Sequence, residues 1–185
     1  MNATPIQLET PKTSYETHND IPLTLRSEIN LLLNTRLASA IDLQLQMKQA
    51  HWNVKGPNFI GLHELFDQID EAVELYVDMI AERVVQLGGV AEGTVRVAAT
   101  RSQLDEYPLT LGEGVSHVDA VCTALSSFGH QVRMSINAAD DLEMPTRQIY
   151  LHRFPKGSTN GSGSLRPMPR HRNNLWPAAE YVDPV

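Results

Sequence analysis

The stretch QAHWNVKGPNFIGLHELFDQIDEAVELYVDMIAER, residues 49–83, decides the fold, because two histidines and several carboxylates interrupt an otherwise apolar, helix-periodic run. On an α-helix each residue turns about 100° and rises about 1.5 Å, so the successive steps from His63 to Asp67, from Asp67 to Asp78 and from Asp78 to Glu82 add only about 40°, 20° and 40°. The four side chains therefore share one face. Leu62, Phe66, Met79 and Ile80 flank the stripe, and carboxylates among apolar neighbours are costly unless a metal ion or a proton compensates them. A solvated face is the ordinary reading of polar residues every fourth position, and it is kept for Asp70, Glu71 and Glu74.

Outward from this stretch the helical period continues. From Leu23 to about Asn53 the residues Leu25, Ile29, Leu32, Leu33, Leu37, Ile41 and Leu45 recur at spacings of three and four, predicting one long amphipathic helix. Gly56 and Pro57 make a short turn. A second helix is predicted from about Phe59 to Leu87, burying Leu62, Phe66, Ile69, Val73, Tyr76, Ile80 and Val84 and ending at Gly88 and Gly89. A turn this short makes the two helices antiparallel neighbours. A long connection follows, with a short helix expected near Thr100 to Leu104, and then a third long helix from about Val115 to Ala139. No strand pattern competes, so the expectation is an all-α bundle.

The 185 residues suffice for one domain with a core. Residues 1–22 are polar and aperiodic, with Pro5, Pro11 and Pro22, and read as a flexible arm. Residues 23–143 read as the helical domain. The net charge of −7 disfavours a whole-surface grip on nucleic acid and favours cations as partners. It is unevenly spread: residues 144–185 carry Arg147, Arg153, Lys156, Arg166, Arg170 and Arg172 against Glu180 and Asp183, a net +4, which leaves −11 on the rest. The single Cys122 allows no internal disulfide, and the first residues lack a signal-peptide pattern, so the expected location is cytoplasmic, without a membrane partner.

Asp67 and Asp78 lie about 16 Å apart along one helix axis, far beyond the roughly 2.0–2.2 Å reach of ligands on a single metal ion. One chain cannot close one site from this stripe. Two copies packed antiparallel about a two-fold axis can, because His63 and Asp67 of one then face Asp78 and Glu82 of the other, giving two symmetric sites per dimer. His51, across the turn, is placed to join the His63 side. Imidazoles and bridging carboxylates without a thiolate suit Fe(II), Mn(II) or Zn(II). Trp52, beside His51, is placed to quench an oxidising equivalent, although packing is the commoner fate of an aromatic at a helix end.

HWNVKGPNFIGLHELFDQ followed by VDMIAERVVQLGGVAEGT resembles the Dps family of dodecameric mini-ferritins, over roughly Ile21 to Glu143. The resemblance implies a ferritin-like four-helix subunit, a hollow shell of twelve subunits, and a di-iron ferroxidase centre shared across the two-fold interface. By the family motif its ligands are His51, His63 and Asp67 with Asp78 and Glu82 of the neighbouring subunit. The implied activity is oxidation of Fe(II) by hydrogen peroxide and storage of Fe(III), with Zn or Mn as substitute metals. DNA binding in the family rests on a lysine-rich arm, whereas the arm here offers only Lys12 against Glu9, Glu16 and Asp20, so DNA binding by it is expected to be weak or absent. The alternatives are a non-enzymatic DNA-protecting shell that uses the basic tail as a clamp, and a helical protein that holds Zn(II) without redox chemistry.

The tail departs from the family. Pro155, Gly157, Gly161, Gly163, Pro167 and Pro169 punctuate residues 144–185, which cannot form the fourth amphipathic helix. Codons exist for Met144 onward such that one base restored after Glu143 makes the same nucleotides encode DADTADIFTPISKGVDKRLWFFEAHA, a string similar to the family's last helix. The tail therefore reads as the product of a single-base deletion, with its basic charge adventitious.

Overall fold

The computed structural model describes residues 15–142. They contain α1 (Leu23–Asn53), α2 (Phe59–Gln86), the short α3 (Val95–Arg101) and α4 (Gly114–Asp141), with no strand among the described residues. Every described residue lies within one compact unit. The expected aberrant tail, 144–185, lies outside the described residues, as does the arm before Tyr15.

The long helices form where the three-and-four spacing places them. The turn after α1 is made possible by Gly56, whose φ of 107° is open to glycine at little cost. At the far end of α2, Gly88 adopts φ 79° and its N–H bonds the carbonyl of Val85 at 2.8 Å. Between these two reversals α1 and α2 lie antiparallel, as shown by Lys48 meeting Asp67 while Arg26 reaches the Leu87 carbonyl.

α1 is the central element, and here the expected two-faced helix needs correction. Leu33, Asn34, Arg36, Leu37, Ala38, Ser39, Ala40 and Leu43 are all buried, covering every side of its middle turns. The cause is the long connection after α2, which runs back along α1. Asn34 uses both halves of its amide there, donating to the Val90 carbonyl at 3.1 Å and accepting the Glu92 N–H at 2.9 Å. Ser39 Oγ accepts the Gln103 N–H at 3.2 Å, and Gln46 donates to the Asp105 carbonyl at 3.0 Å. Arg36 bridges Gln103 and, at 2.8 Å, Gln131 of α4. Buried polar groups on α1 thus bind the crossover, with Arg36 Nε left without a partner among the described residues. Leu45, expected in the core, is exposed, and the short helix begins five residues before the expected Thr100.

α4 returns antiparallel to α1, its first residues beside Val54 and Leu62 and its Gln131 beside Arg36. The core between the helices holds Ile29, Leu33, Leu37, Leu43, Met47, Phe66, Val84, Leu87, Val121, Phe128 and Val132. Burial of each large aliphatic or aromatic side chain stabilises the fold by about 1.5–3 kcal/mol.

The described part of the arm, residues 15–22, is tied down rather than free. Tyr15 donates its N–H to the Gly88 carbonyl at 2.7 Å, while Arg26 donates to Thr17 Oγ1 at 2.8 Å and to the Ile21 carbonyl at 3.0 Å.

Candidate metal centre

The antiparallel pairing of α1 and α2 carries the last turn of α1 across to the first turns of α2. His51 and His63 meet there with ring centroids 3.6 Å apart and planes inclined by 25°. His51 Nδ1 lies 2.9 Å from the His63 carbonyl oxygen, and His63 Nδ1 lies 2.8 Å from the His51 carbonyl oxygen. A carbonyl only accepts, so each Nδ1 carries a proton and Nε2 is the nitrogen that each ring has left to offer a ligand. The same bonds fix the orientation of both rings, a role that outer-shell carbonyls commonly serve for metal-binding histidines. Phe59 packs against His63 at 5.0 Å between centroids.

One turn deeper lies an ion cluster that sequence reasoning missed. Lys48 Nζ stands 2.6 Å from Asp67 Oδ1 and 2.9 Å from Asp70 Oδ2. Asp67 is also 3.8 Å from His51 Nδ1. The hydrogen bond from Lys48 holds the Asp67 carboxyl below its usual range, and the same carboxylates push the Lys48 ammonium above its own. Asp70, expected on a solvated face with Glu71 and Glu74, is 3% exposed, and the correction has a clear cause: Lys48 of α1 covers it and supplies the opposite charge. No pattern within α2 could reveal this, since the compensating charge comes from α1.

The structure therefore brings together His51, His63 and Asp67 in one chain. Asp78 and Glu82 are exposed farther along α2, and a single chain does not bring them to the histidines. Among the described residues no three His, Cys, Asp or Glu side chains of one chain converge as a metal-holding group. Trp52 is 65% exposed, so the expectation that it is packed within the chain is not met. Cys122 is exposed on α4 and does not belong to this cluster.

Two oriented imidazoles, an accessible carboxylate and no thiolate form a donor set that suits Fe(II) and other borderline divalent ions, one of them also carrying redox chemistry. No helix among the described residues is long and apolar enough to cross a membrane.

Comparison with known proteins bears on this donor set. The family description "Ferritin-like domain" matches residues 30–151. The DNA protection during starvation protein of Agrobacterium fabrum is 40% identical over 133 residues, covering 72% of this chain and 82% of the relative. That of Mycolicibacterium smegmatis is 33% identical over 125 residues, 68% of each chain. Among solved structures, the tetragonal form of Mycobacterium smegmatis Dps superposes with a TM-score of 0.69 at 32% identity, over 75% of this chain and 84% of the other.

Proposed function

Because this chain belongs to the ferritin-like family, and within it to the Dps proteins, we propose that it takes up Fe(II), oxidises it with hydrogen peroxide at a centre shared by two subunits, and stores the ferric product in a hollow shell. The observation that carries this reading is the reciprocal His51–His63 clasp beside Asp67, which occupies both Nδ1 atoms and leaves the two Nε2 atoms for a metal ion. The missing carboxylates, Asp78 and Glu82, are exposed on the same stripe of α2, where a second copy packed antiparallel about a two-fold axis can use them. The full assembly in this proposal is a dodecamer built from such dimers, located in the cytoplasm.

Iron is substrate and cargo here, and its own redox couple supplies the chemistry. Two ferrous ions give one electron each to one hydrogen peroxide; the O–O bond breaks to give two hydroxide ions, and hydrolysis of the two ferric ions by water releases protons. The chain's contribution is to hold both ions at once, so that the oxidant receives two electrons together. His51 and His63 bind through Nε2, Asp67 offers the near carboxylate, and Asp78 and Glu82 of the neighbouring copy close the far side. Trp52, next to His51 in sequence and exposed, absorbs a stray oxidising equivalent in this proposal. The net charge of −7 favours cation approach, an advantage that fades with salt. Zn(II) or Mn(II) suits the same donors and acts as a competitor.

Adding Fe(II) to the full chain with a known amount of hydrogen peroxide tests the proposal. Peroxide is consumed at one molecule per two Fe(II), and His51→Ala or Asp78→Ala slows the reaction at least about tenfold. A protein that binds Zn(II) but leaves peroxide untouched on addition of Fe(II) is a non-redox metal protein instead. The relatives' names speak of DNA protection; retardation of plasmid at low salt, lost on removal of residues 144–185, is the result that favours a DNA-clamping shell.

A further inference from the structure

Asp70 is a buried carboxylate whose partnering is incomplete. Its Oδ2 meets Lys48 at 2.9 Å, yet its Oδ1 is buried without a hydrogen-bond partner among the described residues. Lys48 is shared with Asp67, whose side chain is 40% exposed and lies on the histidine side of the cluster. The three charges sum to a net negative one. The ammonium thus sits between an outer carboxylate, open to an arriving ion, and an inner one with a vacant oxygen.

A divalent cation bound by Asp67 would face the Lys48 ammonium across one shared carboxylate, a repulsion between like charges that the partly buried setting strengthens. Either the ammonium leaves the cluster, stranding Asp70 as a buried uncompensated charge, or it withdraws onto Asp70 alone. The second course is the less costly, because one charge removed from a buried pair leaves the other unpaired. We propose that Asp70 is the holding site for Lys48, a positioning residue that receives the ammonium when a metal ion claims Asp67. Lys48 is then a displaceable internal cation, which keeps Asp67 neutralised and oriented until the ion arrives. This inference rests on the metal-centre reading above and concerns the arrangement behind the ligands.

The test is a Co(II) chloride titration of the full chain, followed by the visible absorption of bound Co(II) and by calorimetry. Wild type binds Co(II) in a manner lost in His51→Ala. In Asp70→Asn the ammonium has only Asp67 as anionic partner and competes with the metal, so affinity at the weaker step falls by about tenfold, the scale of outer-shell substitutions. The double variant Lys48→Gln, Asp70→Asn removes both charges and frees Asp67, so affinity returns to the wild-type value or above it. A merely structural role for Asp70 leaves the double variant as weak as Asp70→Asn, and that result overturns the proposal. An unchanged isotherm in Asp70→Asn overturns it too, while leaving the metal centre intact. Absence of His51-dependent Co(II) binding in wild type removes the centre itself, and the holding role with it.

Discussion

His51 and His63 each donate a ring proton to the other's backbone carbonyl, at 2.9 and 2.8 Å, so neither ring can turn without breaking a bond that the partner accepts. The rings stack 3.6 Å apart and serve one centre, so the pair is expected to behave as a unit. Either alanine substitution keeps the backbone carbonyl that orients the other ring but removes one of the two nitrogen ligands, so each should lower the rate of Fe(II) oxidation at least about tenfold, with the double variant hardly worse than either single one. Stopped-flow oxidation kinetics of the three variants check this, and strictly additive losses count against a shared centre.

The proposed centre takes Asp78 and Glu82 from a neighbouring copy, which makes complementation a test. Co-expression of a His51→Ala chain with an Asp78→Ala chain gives mixed dimers in which one site is doubly damaged and the other intact. With random pairing, about a quarter of all sites are whole, and the mixture recovers about that fraction of the wild-type oxidation rate. Separately purified inactive variants that stay inactive after co-expression place the whole site in one chain.

Tyr107 and His117 form a second buried pair, with the phenol oxygen 2.7 Å from Nδ1. Burial pushes the His117 pKa below its ordinary 6.5 and raises that of Tyr107 to about 12. A histidine held neutral in the fold protonates more readily in the unfolded chain. Its stabilising share is therefore complete above about pH 6.5 and is lost as pH falls from there through the depressed folded value. Tyr107→Phe, which strips a buried His117 of this partner, should cost about 1–3 kcal/mol in urea unfolding at pH 7.5 and leave Co(II) binding unchanged.

Gly88 combines φ 79° with close packing, since a Cβ there would lie 2.6 Å from the Tyr15 carbonyl oxygen and 3.1 Å from Thr17 Cγ2. Gly88→Ala should destabilise the protein by about 2 kcal/mol, from backbone strain and displacement of the Tyr15 segment together. Chemical denaturation measures the loss, and faster proteolysis ahead of residue 23 locates it.

A tail produced by a single-base deletion leaves its mark in the gene. Nucleotide sequencing across the Glu143 codon should show where one base is missing, and a chain with that base restored should unfold at a higher urea concentration than the present one. An unbroken frame in the source DNA ends this reading.

Periodicity made α1, α2 and α4 legible because each has apolar residues at spacings of three and four, and the stripe His63, Asp67, Asp78, Glu82 was legible for the same geometric reason. What escaped depends on contacts between elements. Asp70 looks like its neighbours Glu71 and Glu74 in sequence, and only Lys48, on another helix, makes its burial tolerable. Asn34, Arg36 and Gln46 interrupt the apolar pattern of α1, yet they are buried because the crossover supplies their partners. The seven residues of α3 are too few for a period to show. Trp52 gave no hint of its exposure, since the position after a helix-end histidine fixes no packing partner.

The Tyr15–Gly88 bond fastens the start of the described chain at the end of α2 remote from His63. The separation is twenty-five helical steps, about 37 Å. A purification handle or fluorophore joined ahead of Tyr15 is therefore anchored at the opposite pole from the imidazoles of its own subunit. In the two-fold arrangement proposed above, it stands instead near the end of the helix that serves its neighbour. Energy transfer from such a dye to Co(II) would thus gauge the quaternary neighbour rather than the chain that bears the dye.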